Sequence, residues 1–195
     1  MPLLPLSFFL RNDVVQIARE LLGKKIVTRF EGVTTSGIIC ETEAYAGVTD
    51  RASHAYGGRR TARTEVMYAV GGTAYVYLCY GIHSLFNIVT SDAEIPHAVL
   101  IRGIIPSDGT EIMLQRTGKT KFTRNPGIGP GKVSKLLGIH YSHSGLKLNQ
   151  TYPPGNHAIN IEDTGTDQGS MKACPRVGVD YAGADALLPY RFILQ

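Results

Sequence analysis

Lys24-Lys-Ile-Val-Thr-Arg-Phe-Glu-Gly-Val-Thr-Thr-Ser-Gly-Ile-Ile-Cys-Glu-Thr-Glu-Ala-Tyr45 decides the architecture of this chain. Two runs rich in β-branched and apolar residues, Lys24 to Phe30 and Gly37 to Tyr45, flank a Gly-containing polar stretch from Glu31 to Ser36, and that pattern predicts a β-hairpin. The second run closes on Glu41-Thr-Glu-Ala-Tyr45, so two carboxylates stand on a strand. Side chains alternate along a strand, which puts Glu41, Glu43 and Tyr45 on one face and Cys40, Thr42 and Ala44 on the other.

Upstream, Val14, Ile17, Ala18, Leu21 and Leu22 follow helical spacing, with Asn12 or Asp13 placed to cap the helix and Gly23 placed to stop it. Downstream, Ala74 to Leu78, Leu85 to Thr90 and Ala98 to Ile104 are predicted strands, with Tyr80-Gly81 at the turn between the first two. Helical patterns return at Thr110 to Gln115 and at Lys132 to Leu137, the latter with Pro130 near its first position. Residues 117 to 131 and 150 to 176 are rich in Gly, Pro, Thr and Asn, and are expected to be long surface loops. There is no internal repeat. The expected fold is α+β: a single domain over residues 1–195, built on a curved, mostly antiparallel β-sheet surrounded by helices and long loops.

The 195 residues suffice for a real core. Twenty Lys and Arg against 16 Asp and Glu give a net charge of +4, and the excess is unevenly spread. No acidic residue occurs from Ile112 to Ile161, a stretch holding Arg116, Lys119, Lys121, Arg124, Lys132, Lys135 and Lys147; a second acid-free stretch holds Arg51, Arg59, Arg60 and Arg63. Unopposed cations in two places favour phosphate binding over a merely solvated face. Cys40, Cys79 and Cys174 are odd in number and lack C-x-x-C spacing, which points to a reduced, intracellular chain rather than a disulfide framework or thiolate zinc site. The expected compartment is the cytoplasm or nucleoid of a bacterium, and the nucleus otherwise. The apolar N-terminus lacks a basic lead and a cleavage site, and no apolar run reaches the roughly 18 residues of a membrane span. It is expected to pack on the body.

Carboxylate pairs about 5–9 Å apart serve cleavage at anomeric carbons, so Glu41 and Glu43 on one face make such chemistry natural. A solvent-facing acidic strand is the simpler alternative. Tyr75 and Tyr77 share a face; Tyr75 suits a core position, whereas Tyr80, beside Gly81 at a turn, suits a wedge. Gly127-Ile-Gly-Pro-Gly-Lys132 approaches a phosphate loop, but the pattern fails at Pro126 and Val133, leaving room for one backbone phosphate rather than a nucleotide triphosphate. His140 and His143 lack a third ligand, so no metal is expected. Carboxylate, aromatics and arginines together suit a polyanion that carries planar bases.

Glu41-Thr-Glu-Ala-Tyr45, His54, Gly57-Gly-Arg59, Tyr75-Val-Tyr77, Tyr80-Gly81, Asn87, Leu100-Ile-Arg102, Gly129-Pro-Gly-Lys132, Arg176-Val-Gly-Val179 and Ala182-Gly183 together resemble the alkyladenine (3-methyladenine) DNA glycosylase family of monofunctional base-excision repair enzymes. The resemblance implies that Glu43 is the general base for water, that Arg102 holds that water and the carboxylate, and that the carbonyl of Val179 is a third water ligand. It implies a base pocket of Tyr45, His54, Tyr77 and Asn87, with Asn87 obstructing the amino group of guanine. Tyr80 would fill the gap left by the flipped nucleotide, while Arg59, Arg63 and Lys132 would contact phosphates. A guanidinium beside Glu43 would keep it ionised. No lysine adjoins the pocket motif as an amine nucleophile, in keeping with a monofunctional enzyme. The implied substrates are 3-methyladenine, 7-methylguanine, hypoxanthine and ethenoadenine in double-stranded DNA, handled by a monomer without cofactor. Two other readings stay open on the residues: a carbohydrate hydrolase using both glutamates, and a lesion-binding module without catalysis.

Overall fold

The computed structural model describes residues 1–153, 155–165 and 169–195. Its frame is one eight-stranded sheet in which every named strand pairing is antiparallel. The expected hairpin is present as β1 (Lys25–Phe30) and β2 (Val33–Tyr45). Its turn is shorter than expected, only Glu31 and Gly32, both at positive φ, with Phe30 opposite Val33. Thr34, Thr35 and Ser36 looked like turn residues because they are polar, but β-branched threonines sit readily in a strand. β3 (Ala74–Cys79), β4 (His83–Thr90) and β5 (His97–Pro106) extend the sheet from the other edge of β2, giving the order β3-β4-β5-β2-β1-β6.

The expected loop 150–176 is only partly loop. It contains β6 (Ala158–Glu162), paired with β1, and β7 (Met171–Cys174), paired with β8 (Arg191–Leu194). These strands are short and set among Gly, Pro and Asn, so their four or five residues carry too little periodicity to stand out. Residues 154 and 166–168 of that stretch lie outside the described residues.

β8 pairs with Glu41, Thr42 and Glu43 of β2 on the edge that β1 has vacated, since β5 occupies the other edge from Gly37 to Tyr45. The change of neighbour coincides with a paired irregularity. Ile39 faces Ile104, Glu41 faces Gly103 and Thr42 faces Ile101, so Cys40 on β2 and Arg102 on β5 are extra residues in the ladder. The two insertions cancel in register but reverse the phase of both strands. Before them Ile39 and Ile104 lie in the core; after them Ala44, Val99 and Ile101 do, while Glu41, Glu43 and Tyr45 turn to the opposite face.

The core side is covered by the short helix α1 (Leu6–Phe9), by α2 (Val14–Glu20), and by α3 (Thr110–Thr117) and α4 (Pro130–Leu137). Asp13 caps α2 by accepting from Gln16 N–H at 2.9 Å, and Gly23 at positive φ follows its end. Leu4 and Phe9 are buried, so the apolar N-terminus packs on the body as expected. Pro130 occupies the first turn of α4.

The Gly-rich segment before α4 closes the sheet. Ile104 N–H donates to the Gly127 carbonyl at 3.1 Å, and Gly129 N–H to the Arg102 carbonyl at 2.8 Å, satisfying a part of β5 that β4 does not reach. A Cβ on Gly127 would stand 2.1 Å from the Ile104 carbonyl oxygen. Gly127→Ala is therefore expected to cost about 1–3 kcal/mol, seen as a fall in Tm of about 2–4 °C per kcal/mol; an unchanged Tm would show that the segment is not pressed against β5.

Candidate active site

The face of the sheet opposite α2 carries a row of paired residues, Tyr75–Asn87–Leu100–Glu43, running across β3, β4, β5 and β2. Tyr77, Leu85 and Arg102 flank that row. Above it opens a cavity of about 520 Å³, within the usual range of about 300–1,000 Å³ for a small-molecule site. Its walls come from the loop carrying Ser53 and His54, from Arg63, from the β3–β4 hairpin, and from Val177 to Val179 with Tyr181.

The two loop walls are joined by one buried ion pair. Arg176 grips both oxygens of Asp50, and its guanidinium also donates to the Ala44 carbonyl at 2.9 Å and the Asp185 carbonyl at 3.1 Å. Asp50 in turn accepts from the backbone N–H groups of Ala46 and Ala52. Each partner satisfies the other's charge, as a buried ion must be satisfied. Sequence reading missed this pair because Asp50 lies 126 residues from Arg176.

Glu43 is fully buried beneath the cavity wall. One oxygen accepts from Val177 N–H at 2.8 Å and stands 3.4 Å from Arg102 Nε; the other accepts from the Tyr45 hydroxyl at 2.7 Å. Burial nonetheless pushes its carboxyl above the ordinary value, against the pull of Arg102, Val177 and Tyr45. The expected guanidinium does stand beside Glu43 and pulls its pKa down, though burial outweighs that pull. Arg102 Nε lies closer to Glu41, at 3.0 Å, so its charge is divided.

Glu41 does not behave as a second free carboxylate. Its Oε1 receives Arg102 and, at 2.7 Å, Arg191. With both glutamates buried the solvent-facing acidic strand does not fit, and with Glu41 committed to two arginines it is not available as the second carboxylate of a two-carboxylate hydrolase.

Tyr45, His54, Tyr77, Asn87 and Val179 all line the cavity, as do Arg63 and Arg102. Tyr77 meets the His54 ring edge-on, with centroids 4.7 Å apart, and the Tyr75 ring at a tilt of 34°, with centroids 5.4 Å apart. Tyr75 is buried as expected of a core residue, yet its hydroxyl lies 2.9 Å from His54 Nδ1. Burial, then the charges of Arg63 and Arg59, lower the His54 pKa to about 4, leaving the ring neutral at pH 7. Arg63 also interacts with the Tyr75 hydroxyl. A guanidinium only donates, so the tyrosine proton is directed to Nδ1 and the imidazole proton to Nε2. Asn87 Nδ2 donates to the Tyr75 and Leu85 carbonyls at 3.2 and 3.3 Å, which fixes its side chain in the floor.

Tyr80 stands at the hairpin tip, 92% exposed, with Leu78 and Ile82 exposed beside it. Tyr80 and Gly81 have φ of 50° and 72°, and Ile82 N–H closes the turn on the Cys79 carbonyl at 3.1 Å. Positive φ at both central residues marks a turn that favours Asn-Gly, so a bulky tyrosine is strained there.

The cations divide. Arg59 and Lys132 are exposed, and Pro130 at the start of α4 places Lys132 near the cavity rim. Arg63 lies over the Tyr77 ring, 4.5 Å from its centroid. Arg60, expected to be unopposed, pairs with both Glu65 and Glu94, acids that lie outside its own acid-free stretch. His143 Nδ1 accepts from His140 N–H, and the His143 ring stacks on Phe30.

A family model described as Methylpurine-DNA glycosylase matches residues 7–195. A protein of Chlamydia felis is 47% identical over 99% of this chain and 96% of its own length. One of Chlamydia pneumoniae is 45% identical over 96% and 93%, and one of Bacillus cereus is 42% identical over 98% and 95%. All three bear, as a provisional name, 3-methyladenine DNA glycosylase.

Two outcomes test the geometry. Tyr80→Asn should relieve the turn and raise stability by about 0.5–1 kcal/mol, because an almost fully exposed ring gives up no packing; a lower Tm would contradict the strained turn. By NMR, His54 should titrate near pH 4 rather than 6.5. The unfolded chain binds that proton more tightly, so its contribution to stability is complete above about pH 6.5 and drains as pH falls toward 4. A midpoint above 6 would show the ring to be open to solvent.

Proposed function

The chain belongs to the methylpurine-DNA glycosylase family, and from that membership we propose that it flips alkylated or deaminated purines out of duplex DNA and hydrolyses their N-glycosidic bond with a water activated by Glu43. The observation that carries this reading is the burial of Glu43 directly behind a cavity lined by Tyr45, Tyr77 and His54. A carboxylate whose pKa is raised binds a proton more readily than a free one, which suits a general base. Water would lie between Glu43, the Arg102 guanidinium and the Val179 carbonyl, and would attack the anomeric carbon as the purine leaves. The proton passes to Glu43 and the bond electrons to the departing base.

The aromatic walls suit a flat ligand, and a cationic alkylated purine gains about 0.5–2 kcal/mol from tyrosine faces. Alkylation on a ring nitrogen already makes the base a good leaving group. The neutral His54, protonated on Nε2, offers one donor to the bound base or its sugar, and the pinned Asn87 is an obstacle that cannot swing away from a guanine amino group. Tyr80 would occupy the space left in the duplex. Arg59, Arg63 and Lys132 would contact phosphates, with Arg63 leaving the Tyr77 ring to do so. The substrates would include 3-methyladenine, 7-methylguanine, hypoxanthine and ethenoadenine, and the enzyme would act as a monomer where the DNA is, leaving an abasic site.

The test uses end-labelled duplexes bearing hypoxanthine or ethenoadenine, and methylated DNA, followed by hot alkali. Wild type should produce alkali-dependent breaks at lesions, and Glu43→Gln should slow base release by about 10²–10⁴-fold. A folded carboxylate with raised pKa costs stability when ionised, so Glu43→Gln should melt no lower than wild type at pH 7. Undiminished base release by Glu43→Gln would remove Glu43 from the chemistry; tight lesion binding by wild type without any release would favour the recognition module.

A further inference from the structure

Glu41 takes no part in the steps above, yet it is almost completely buried on the cavity face of β2. Its Oε1 accepts from Arg191 Nε at 2.7 Å and from Arg102 Nε at 3.0 Å, while the same Arg102 Nε stands 3.4 Å from Glu43 Oε1. One guanidinium nitrogen is therefore divided between two carboxylates, and lies nearer the one that is not the base. Arg191 comes from β8, directly opposite Glu43 in the ladder, and reaches diagonally past it to Glu41.

We propose that Glu41 and Arg191 are positioning residues of the glycosylase reaction, which set how far the Arg102 guanidinium is shared with Glu43 and hence how strongly Glu43 holds a proton. The inference rests on Glu43 being the base. With Arg191 present, the charge of Glu41 is met from two sides and Arg102 is free to remain between the carboxylates. Without Arg191, Glu41 draws Arg102 onto itself, and Glu43 keeps only the Tyr45 hydroxyl and Val177 N–H at short range. Without Glu41, a like charge disappears and Glu43 becomes the nearest carboxylate for both arginines. The two losses therefore act in opposite directions.

The remaining groups around Glu43 are common to both variants. Arg176 is committed to Asp50, the Tyr181 hydroxyl donates to the Ala52 carbonyl at 3.1 Å, and the neighbouring floor residues Leu100 and Asn87 do not titrate. The core face of β2 presents Thr42 and Ala44.

The experiment follows single-turnover release of 3-methyladenine from methylated DNA between about pH 5 and 8, since a base that is already cationic needs no acid to leave and the acidic limb then reports the base. Relative to wild type, Glu41→Gln should move that limb down and Arg191→Gln should move it up, each by about one unit. Arg191→Lys, which keeps the charge, should bring the limb part of the way back. Should the buried Glu41→Gln fail to fold, Arg191→Gln, on a partly exposed strand position, decides the matter alone. A limb that stays in place in folded variants, that moves the same way in both, or a rate that falls equally at every pH would overturn the proposal. Retained base release by Glu43→Gln would instead overturn the assignment of the base on which it rests.

Discussion

Everything at this site hangs on the paired bulge at Cys40 and Arg102. A strand whose alternation ran unbroken from Ile39 would carry Glu41, Glu43 and Tyr45 into the same core that buries Ile39. One extra residue on each of two neighbouring strands reverses both phases together, so the pairing resumes at Thr42 opposite Ile101 and no hydrogen-bonding register is lost beyond the bulge. The same device frees Arg102 from a ladder position and aims it at the two carboxylates. Gly103 makes the close approach possible, because a Cβ there would stand 2.9 Å from Glu41 Cβ. The Gly127–Gly129 segment then seals the exposed edge of β5 by pairing with Ile104 and Arg102.

Much of the frame was legible because it follows from periodicity. The first hairpin, the three strands after it, the helix capped by Asp13 and the common face of Glu41, Glu43 and Tyr45 all follow from spacing and turn residues. What spacing could not reach falls into two kinds. The bulge leaves no mark in composition; its nearest signal is Gly103 beside Arg102, and a glycine in a strand has several explanations. Long-range partners are equally silent, as with Asp50 for Arg176, Arg191 for Glu41 and the main-chain N–H of Val177 for Glu43. The last is invisible in principle, since every residue but proline owns such a group.

The resemblance brought the site residues to attention without their energetics. It led to the expectation that an arginine beside Glu43 would keep it ionised, and the arginine is there, but it is shared with Glu41 and burial outweighs its pull on the Glu43 pKa. Tyr75 is the core residue its strand position suggested, and its hydroxyl between Arg63 and His54 also fixes which imidazole nitrogen bears the proton. Both points concern how a group is held rather than which group it is. A motif lists side chains; their protonation depends on neighbours that the motif does not contain.

Seen energetically, one sheet serves two purposes that oppose each other. The face against α2 and α4 buries Ile39, Ala44, Val99, Ile101, Ile104 and Phe192, apolar surface worth about 25 cal/mol per Å² removed from water. The other face collects unfavourable features: a buried carboxylate with raised pKa, a histidine kept neutral, and at the hairpin tip a tyrosine in the left-handed region. Such features persist only where the surroundings over-determine them. Here the determination is local to the sheet itself, because the strands that supply the core are the same strands that carry Glu43, Arg102 and Tyr77. A substitution that loosened the core face of β2 or β5 would thus change the spacing of Arg102 between Glu41 and Glu43 before it unfolded the protein, so packing on one face and proton affinity on the other are parts of a single constraint.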